Sequence, residues 1–292
     1  MYNILALLTG ILISTFVAIN GKLSTFYGEY ISSAIIHLAG ALFAILIFII
    51  SGKKFKLKKN IPLWYYSGGF IGVLATLSNN FSFGKIPVTN IIALGLLGQI
   101  ITSLVVDQFG FFNMVKHKIN IKSVFGIALS FLGVLYMLDF SDMTSLLAII
   151  LSFSAGICTV IVRSVNANLG KSTSELEGAL IHHVIGFLFS ILLMFVFSND
   201  IFEVEYIPKN PILYIGGVLG LVVILIYNYI VPKISSYKIT LISFIGQVLS
   251  GIIIDLILGT TWNISIIKGC FFLCIGICIT NILSKNKDKI YK

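Results

Sequence analysis

The sequence predicts an all-α integral membrane protein: ten transmembrane helices in two inverted five-helix repeats. Three observations carry this expectation. Hydrophobic residues make up 58% of the 292-residue chain and charged residues only 11%, which leaves too little charge for a water-facing surface. The apolar runs approach the ~20 residues that a helix needs to cross a bilayer. The chain also repeats itself, since GQIITSLVVDQFG at 98–110 returns as GQVLSGIIIDLILG at 246–259, a shift of 148.

The expected spans are 3–20, 31–50, 62–82, 88–106, 121–138, 145–163, 178–197, 211–231, 238–257 and 263–283. They are continuously apolar rather than alternating with period two, so helices are expected instead of a barrel. Strand-prone Ile, Val and Phe are overridden, because hydrocarbon demands backbone hydrogen bonds within the segment. The first run lacks a basic start and reads as a span, not a cleaved signal. The polar stretches between runs are too short for a soluble domain.

The echo divides the chain into 1–140 and 141–292. At the shift of 148, Gly69, Gly72 and Asn80 recur as Gly217, Gly220 and Asn228. At 146, Asn20, Glu29, His37 and Gly40 recur as Asn166, Glu175, His183 and Gly186. Gly126 and Gly133 recur as Gly269 and Gly276. Five spans per copy is an odd number, so the second copy enters the membrane upside down, as in inverted-repeat transporters.

The net charge of +9 follows orientation rather than a nucleic-acid partner. With the N-terminus inside, sixteen of the twenty basic residues fall on the inner side, including the KKFKLKK run at 53–59 and Arg163. Lys22, Lys85, Lys209 and Lys268 fall outside, with the acidic cluster Asp139, Asp142, Asp200, Glu203 and Glu205. That bias predicts cytoplasmic termini. Trp64 and Tyr65, and Trp262, fall at span ends where amphipathic rings prefer the headgroup layer.

The polar residues inside the spans are the candidate functional residues. Gly95, Gln99, Ser103 and Asp107 follow one another every four residues and share a helix face, and Ser243, Gln247, Gly251 and Asp255 repeat the pattern. Such a face should meet a cavity or another helix, because polar groups facing lipid are expensive. Gln99, Ser103, Ser243 and Gln247, with Asn80 and Asn228, are the expected substrate contacts; the plainer alternative is that Gln99 and Gln247 bridge helices. Asp107 and Asp255 are expected near opposite membrane faces, where they either gate the path or simply end their helices. Glu29 and His37, and Glu175 and His183, are eight residues apart. They suit gating or proton coupling, since imidazole changes charge near neutral pH. The plainer alternative is a neutral histidine bonded to a neighbouring helix. Asn20 and Asn166 read as helix caps.

Cys270, Cys274 and Cys278 share a face of the tenth span. Three thiols suit a soft ion, but no second ligand helix is evident, so no metal and no disulfide framework is expected. The lack of a charge deep in the spans leans towards a neutral or zwitterionic ligand.

Two five-span halves, each with an Asn-containing turn after its first span and G-Q-x-x-x-S-x-x-x-D in its fourth, resemble the drug/metabolite transporter superfamily, EamA-like, and within it the fused tandem YdcZ type. That resemblance covers essentially the whole chain and implies a multi-pass plasma (inner) membrane protein, an exporter. One departure stands out. The small multidrug-resistance members carry a membrane-embedded Glu in their first helix, whereas 3–20 and 145–163 hold no acidic residue, so proton-coupled export of cationic drugs by that route is not expected.

The expected function is secondary transport of a small metabolite or drug-like compound by alternating access, coupled to protons or ions, by a monomer or homodimer in the lipid bilayer, with no cofactor. The alternative is a non-transporting membrane scaffold or accessory subunit. An intramembrane enzyme would need a nucleophile, an acid dyad or a metal cluster on facing helices. A primary ATP-driven pump is excluded for this chain alone, because it has no GxxxxGK[ST] loop.

Overall fold

Apolar runs with no water to bond must satisfy their own backbone, and each described run here does so as a helix. In the computed structural model the helices are α1 (Tyr2–Ser51), α2 (Gly68–Ser82), α3 (Val88–Phe109), α4 (Ile121–Met137), α5 (Met143–Ser172), α6 (Glu175–Phe197), α7 (Gly216–Ile230) and α8 (Ser236–Ile257). Further helical residues follow between 264 and 279. The structure describes residues 1–52, 55, 60–117, 121–137, 143–198, 207–259 and part of 264–279. Most of the KKFKLKK run, Lys118, the acidic cluster, Trp262, Cys270, Cys278 and the lysines from 285 onward lie outside the described residues.

Six of the described helices are long and apolar enough to cross a membrane. Their outward faces carry Leu42, Leu46, Leu188, Leu192, Ile253 and Leu256, all exposed. A belt of this kind suits lipid and would be a liability in water.

The first difference from expectation concerns the opening spans. They lie in one element, α1, whose single non-helical residue is Gly28 at φ 73°, ψ 170°. Asn20 lies against Gly216, while Ile36, sixteen residues later, lies against Gly217. A straight helix would hold those two residues about 24 Å apart. Gly28 therefore folds α1 back on itself into two arms.

Asn20 and Asn166 do not cap helices. Both are buried inside continuous helices, because neither GKLSTFY nor SVNANLGKS contains a proline to stop the chain and tertiary packing covers the polar residues. The α5 helix also overruns its expected end at 163 and continues to Ser172.

The duplication reappears as matched elements. α2 and α7 are both 15 residues long, and α3 and α8 are both 22. A short 3-10 turn precedes α2 (Leu63–Ser67) and another precedes α7 (Pro211–Tyr214). Contacts are matched too. Gly10 lets α1 press on the Ser243 carbonyl of α8, and Gly156 lets α5 press on the Gly95 carbonyl of α3. Such glycine contacts bring membrane helices close enough for dense packing. Leu96, Leu97 and Ile100 of α3 share one core with Leu241, Phe244 and Val248 of α8.

Candidate functional site

Helices α1, α2, α5, α6 and α7 line a cavity of about 120 Å³. Its wall carries Asn20 and His37 from the two arms of α1, Thr76, Asn79 and Asn80 from α2, and Thr159, Arg163 and Asn166 from α5. His182 and His183 come from α6 and Tyr227 from α7. Ile13, Val17, Ile36, Val223 and Ile224 supply the apolar remainder.

The histidines are held by reciprocal slots. The His183 ring fills the space a Cβ on Gly40 would take, and the His37 ring does the same at Gly186. The recurrence of both His and Gly at a shift of 146 is thus one contact made twice. Ring centroids of His37, His182 and His183 lie 5.2 to 5.7 Å apart. His182 Nδ1 pairs with Asn166 Nδ2 at 3.0 Å. Among the described residues neither nitrogen of His37 or of His183 has a hydrogen-bond partner, so no described helix ties these two rings by a hydrogen bond.

Arg163 corrects the sequence reading most. It is not an inner-loop cation. It lies nine residues before the end of α5 and is only 1% exposed. Its Nη2 donates to Ser103 Oγ (2.8 Å), Ser236 Oγ (2.8 Å), Ser236 O (2.9 Å) and Thr240 Oγ1 (2.8 Å). Its guanidinium lies 5.6 Å from the Tyr227 ring centre, a distance at which a cation is attracted to the ring face. A charge therefore does face the interior. Its signal in the sequence was available, because Arg163 is the only arginine in the chain.

The predicted contacts divide between two places. Asn80 lines the cavity and donates from Nδ2 to Ser32 Oγ at 3.0 Å, which orients its amide. Asn228 instead donates to the Glu175 carbonyl at 3.0 Å. Gln99 and Gln247 meet each other between α3 and α8, Nε2 of the first reaching Oε1 of the second at 3.4 Å. Gln247 Nε2 also donates to Ser243 Oγ at 3.3 Å. Ser103 shares a hydrogen bond with Thr240 at 2.8 Å beside the guanidinium. None of these four residues lines the cavity.

The two aspartates occupy equivalent positions. Asp107 accepts from the backbone N–H of Ser236 (3.0 Å) and Tyr237 (2.9 Å) at the start of α8. Asp255 accepts from those of Val88 (3.0 Å) and Thr89 (2.7 Å) at the start of α3, and from the Thr89 hydroxyl. The two helices are thus antiparallel, each C-terminal region holding the other's N-terminus, where carboxylates are favoured. Beside Asp107 lies a pocket of about 260 Å³ with His117, Lys171 and Lys233, and beside Asp255 one of about 360 Å³ with Lys22 and Lys85. Glu29 stands away from the cavity wall and pairs with Lys85 at 3.9 Å. Glu175 is exposed at the start of α6.

The family described as "Putative inner membrane exporter, YdcZ" matches twice, over residues 1–136 and 147–279. The chain belongs to the YdcZ family. It carries one copy of the YdcZ unit in each half and is accordingly a membrane transporter rather than an enzyme. No curated protein matches it in sequence. A solved structure described as "Crystal structure of protein" is similar in fold, with a TM-score of 0.69 at 12% identity, covering 96% of this chain and 98% of that one.

Proposed function

We propose that this chain is a secondary transporter of a small solute, built from two inverted five-helix repeats (1–140 and 141–292) that alternate access to the cavity between them. One observation carries the reading: equivalent polar residues of both halves, Asn20 with Asn166 and His37 with His183, converge on one buried cavity in otherwise lipid-like helices. Midplane sites at a repeat interface are where inverted-repeat transporters bind their cargo.

In this reading Asn80 contacts the solute. His37 and His183, with unbonded ring nitrogens, take and release protons as the halves rock. Glu29 and Glu175 stand at the helix ends, and the Asp107 and Asp255 caps form and part with each state. Gln99 and Gln247 mark the line along which α3 and α8 move against each other, with Ser103 and Ser243 beside them. Both termini face the cytoplasm, and transport is outward.

The test is export. Cells overproducing the protein are compared with cells carrying Val223→Trp, which fills the cavity, by profiling small molecules in the medium. The wild type should raise at least one solute outside the cell and the filled variant should not. If both membranes contain the protein and the two profiles coincide, the cavity is not a transport site.

A further inference from the structure

The internal duplication provides a control for Arg163. The equivalent of Arg163 at the shift of 146 is Val17, and both line the cavity. The residues holding the guanidinium have apolar or small counterparts as well. At the shift of 148, Ser103 corresponds to Gly251, Ser236 to Val88 and Thr240 to Ile92. In the first copy the same geometry is filled by packing, with the Ile92 side chain against Gly251. The fold therefore does not need a cation at this position, since it builds the matching position without one.

Pairing with Asp107 does not explain the cation either. Asp107 gives both carboxylate oxygens to the start of α8, and Asp255 makes the same cap in the other copy, where no arginine is present. Among the described residues, no carboxylate lies within ion-pair distance of the guanidinium. All four of its hydrogen bonds go through Nη2, while Nε and Nη1 make none among the described residues and only the Tyr227 ring faces the group. Three of its five N–H donors are thus unspent in a buried wall, and a guanidinium is costly to bury without an acceptor. The Nη2 bonds to α3 and α8 fix the group in place, so little freedom is lost when something binds to the rest.

We infer that Arg163 is the anion-recognition residue of this cavity and that the ligand is a small monocarboxylate bearing a hydrogen-bond donor. This rests on the cavity being the transport site. Among the described residues one guanidinium and no other lysine, arginine or acid line the cavity, so it balances a single negative charge. A carboxylate carries one, whereas a phosphate monoester carries about −1.5 to −2 at neutral pH. The donor on the ligand meets Asn80 Oδ1, which is buried without a partner among the described residues while its Nδ2 is held by Ser32.

The experiment uses the full chain in lipid nanodiscs and isothermal titration with lactate, 3-hydroxybutyrate, alanine, serine and leucine. Each is paired with its amide, and glycerol phosphate and chloride are run beside them. At least one carboxylate should bind saturably and at least about 10-fold more tightly than its amide, glycerol phosphate and chloride. Arg163→Lys should weaken that binding by about 10-fold and Arg163→Gln should abolish it. If neither variant folds, the wild-type comparison of carboxylate with amide decides alone. Equal binding of acid and amide, preference for phosphate or chloride, or no saturable binding by any carboxylate overturns the assignment. Should export survive while carboxylates fail to bind, only the substrate class is lost. Should Val223→Trp leave export unchanged, the cavity reading itself falls.

Discussion

Asp107 and Asp255, 148 residues apart, each hold the first two backbone N–H groups of the helix that carries the other. Replacing either by Ala removes a buried cap, which typically costs ~0.5–2 kcal/mol. The two sites differ in one respect. Ser236, whose N–H binds Asp107, also accepts from Arg163 through its carbonyl and hydroxyl, so the Asp107 cap also positions the residue that holds Arg163. Asp107→Asn should therefore lower the thermal midpoint in detergent more than Asp255→Asn. Equal drops would mean that the Asp107 cap does not help to hold the guanidinium.

Helix contact through glycine gives a second matched comparison. A Cβ on Gly156 would overlap the Gly95 carbonyl, and backbone cannot swing aside. A Cβ on Gly95 would meet nothing nearer than the Ser152 carbonyl at 3.6 Å, and its counterpart in the second copy is already a serine, Ser243. Gly156→Ala should lose folded protein by size-exclusion chromatography, at a cost of ~1–3 kcal/mol from forced displacement. Gly95→Ala should elute like the wild type.

The reciprocal histidine slots predict paired phenotypes. A Cβ at Gly40 would collide with the His183 ring, and one at Gly186 with the His37 ring. If these rings carry coupling protons, solute flux in proteoliposomes should vary with pH. His37→Gln and His183→Gln should flatten that profile to the same degree, with Gly40→Ala tracking the second. A wild-type flux independent of pH would remove the histidines from coupling.

Continuous apolar runs make the helical class readable and the duplicated motifs the recurring Gly, Asn and His positions, because neither needs knowledge of partners. What a helix face meets is a tertiary fact. The Gln99 stripe was legible as a shared face, yet nothing local distinguishes a cavity from the facing stripe of α8, which is what it meets. Arg163 reads as a loop cation because cations usually end spans, whereas α5 runs nine residues past it. Asn20 looked like a cap because Asn often ends helices, whereas the turn of α1 comes at Gly28.

That turn supports a last prediction. Gly28 and Gly52 both have positive φ, and a Cβ at either would meet no atom within 4 Å, so space alone would permit any residue at both. Their ψ values separate them. Gly52, at φ 63° and ψ 10°, is in the left-handed helical region that Asn tolerates. Gly28, at φ 73° and ψ 170°, lies in a region essentially reserved for glycine, where other residues cost ~1–3 kcal/mol. Gly52→Asn should leave the thermal midpoint within a degree or two of the wild type, while Gly28→Asn should lower it clearly. The same variant should loosen the contacts of Asn20 with Gly216 and of Ile36 with Gly217, since both depend on α1 folding back at this residue. A cysteine pair at Ile19 and Ile36 offers a readout, because cross-linking to a common partner on α7 should fall with Gly28→Asn and persist with Gly52→Asn.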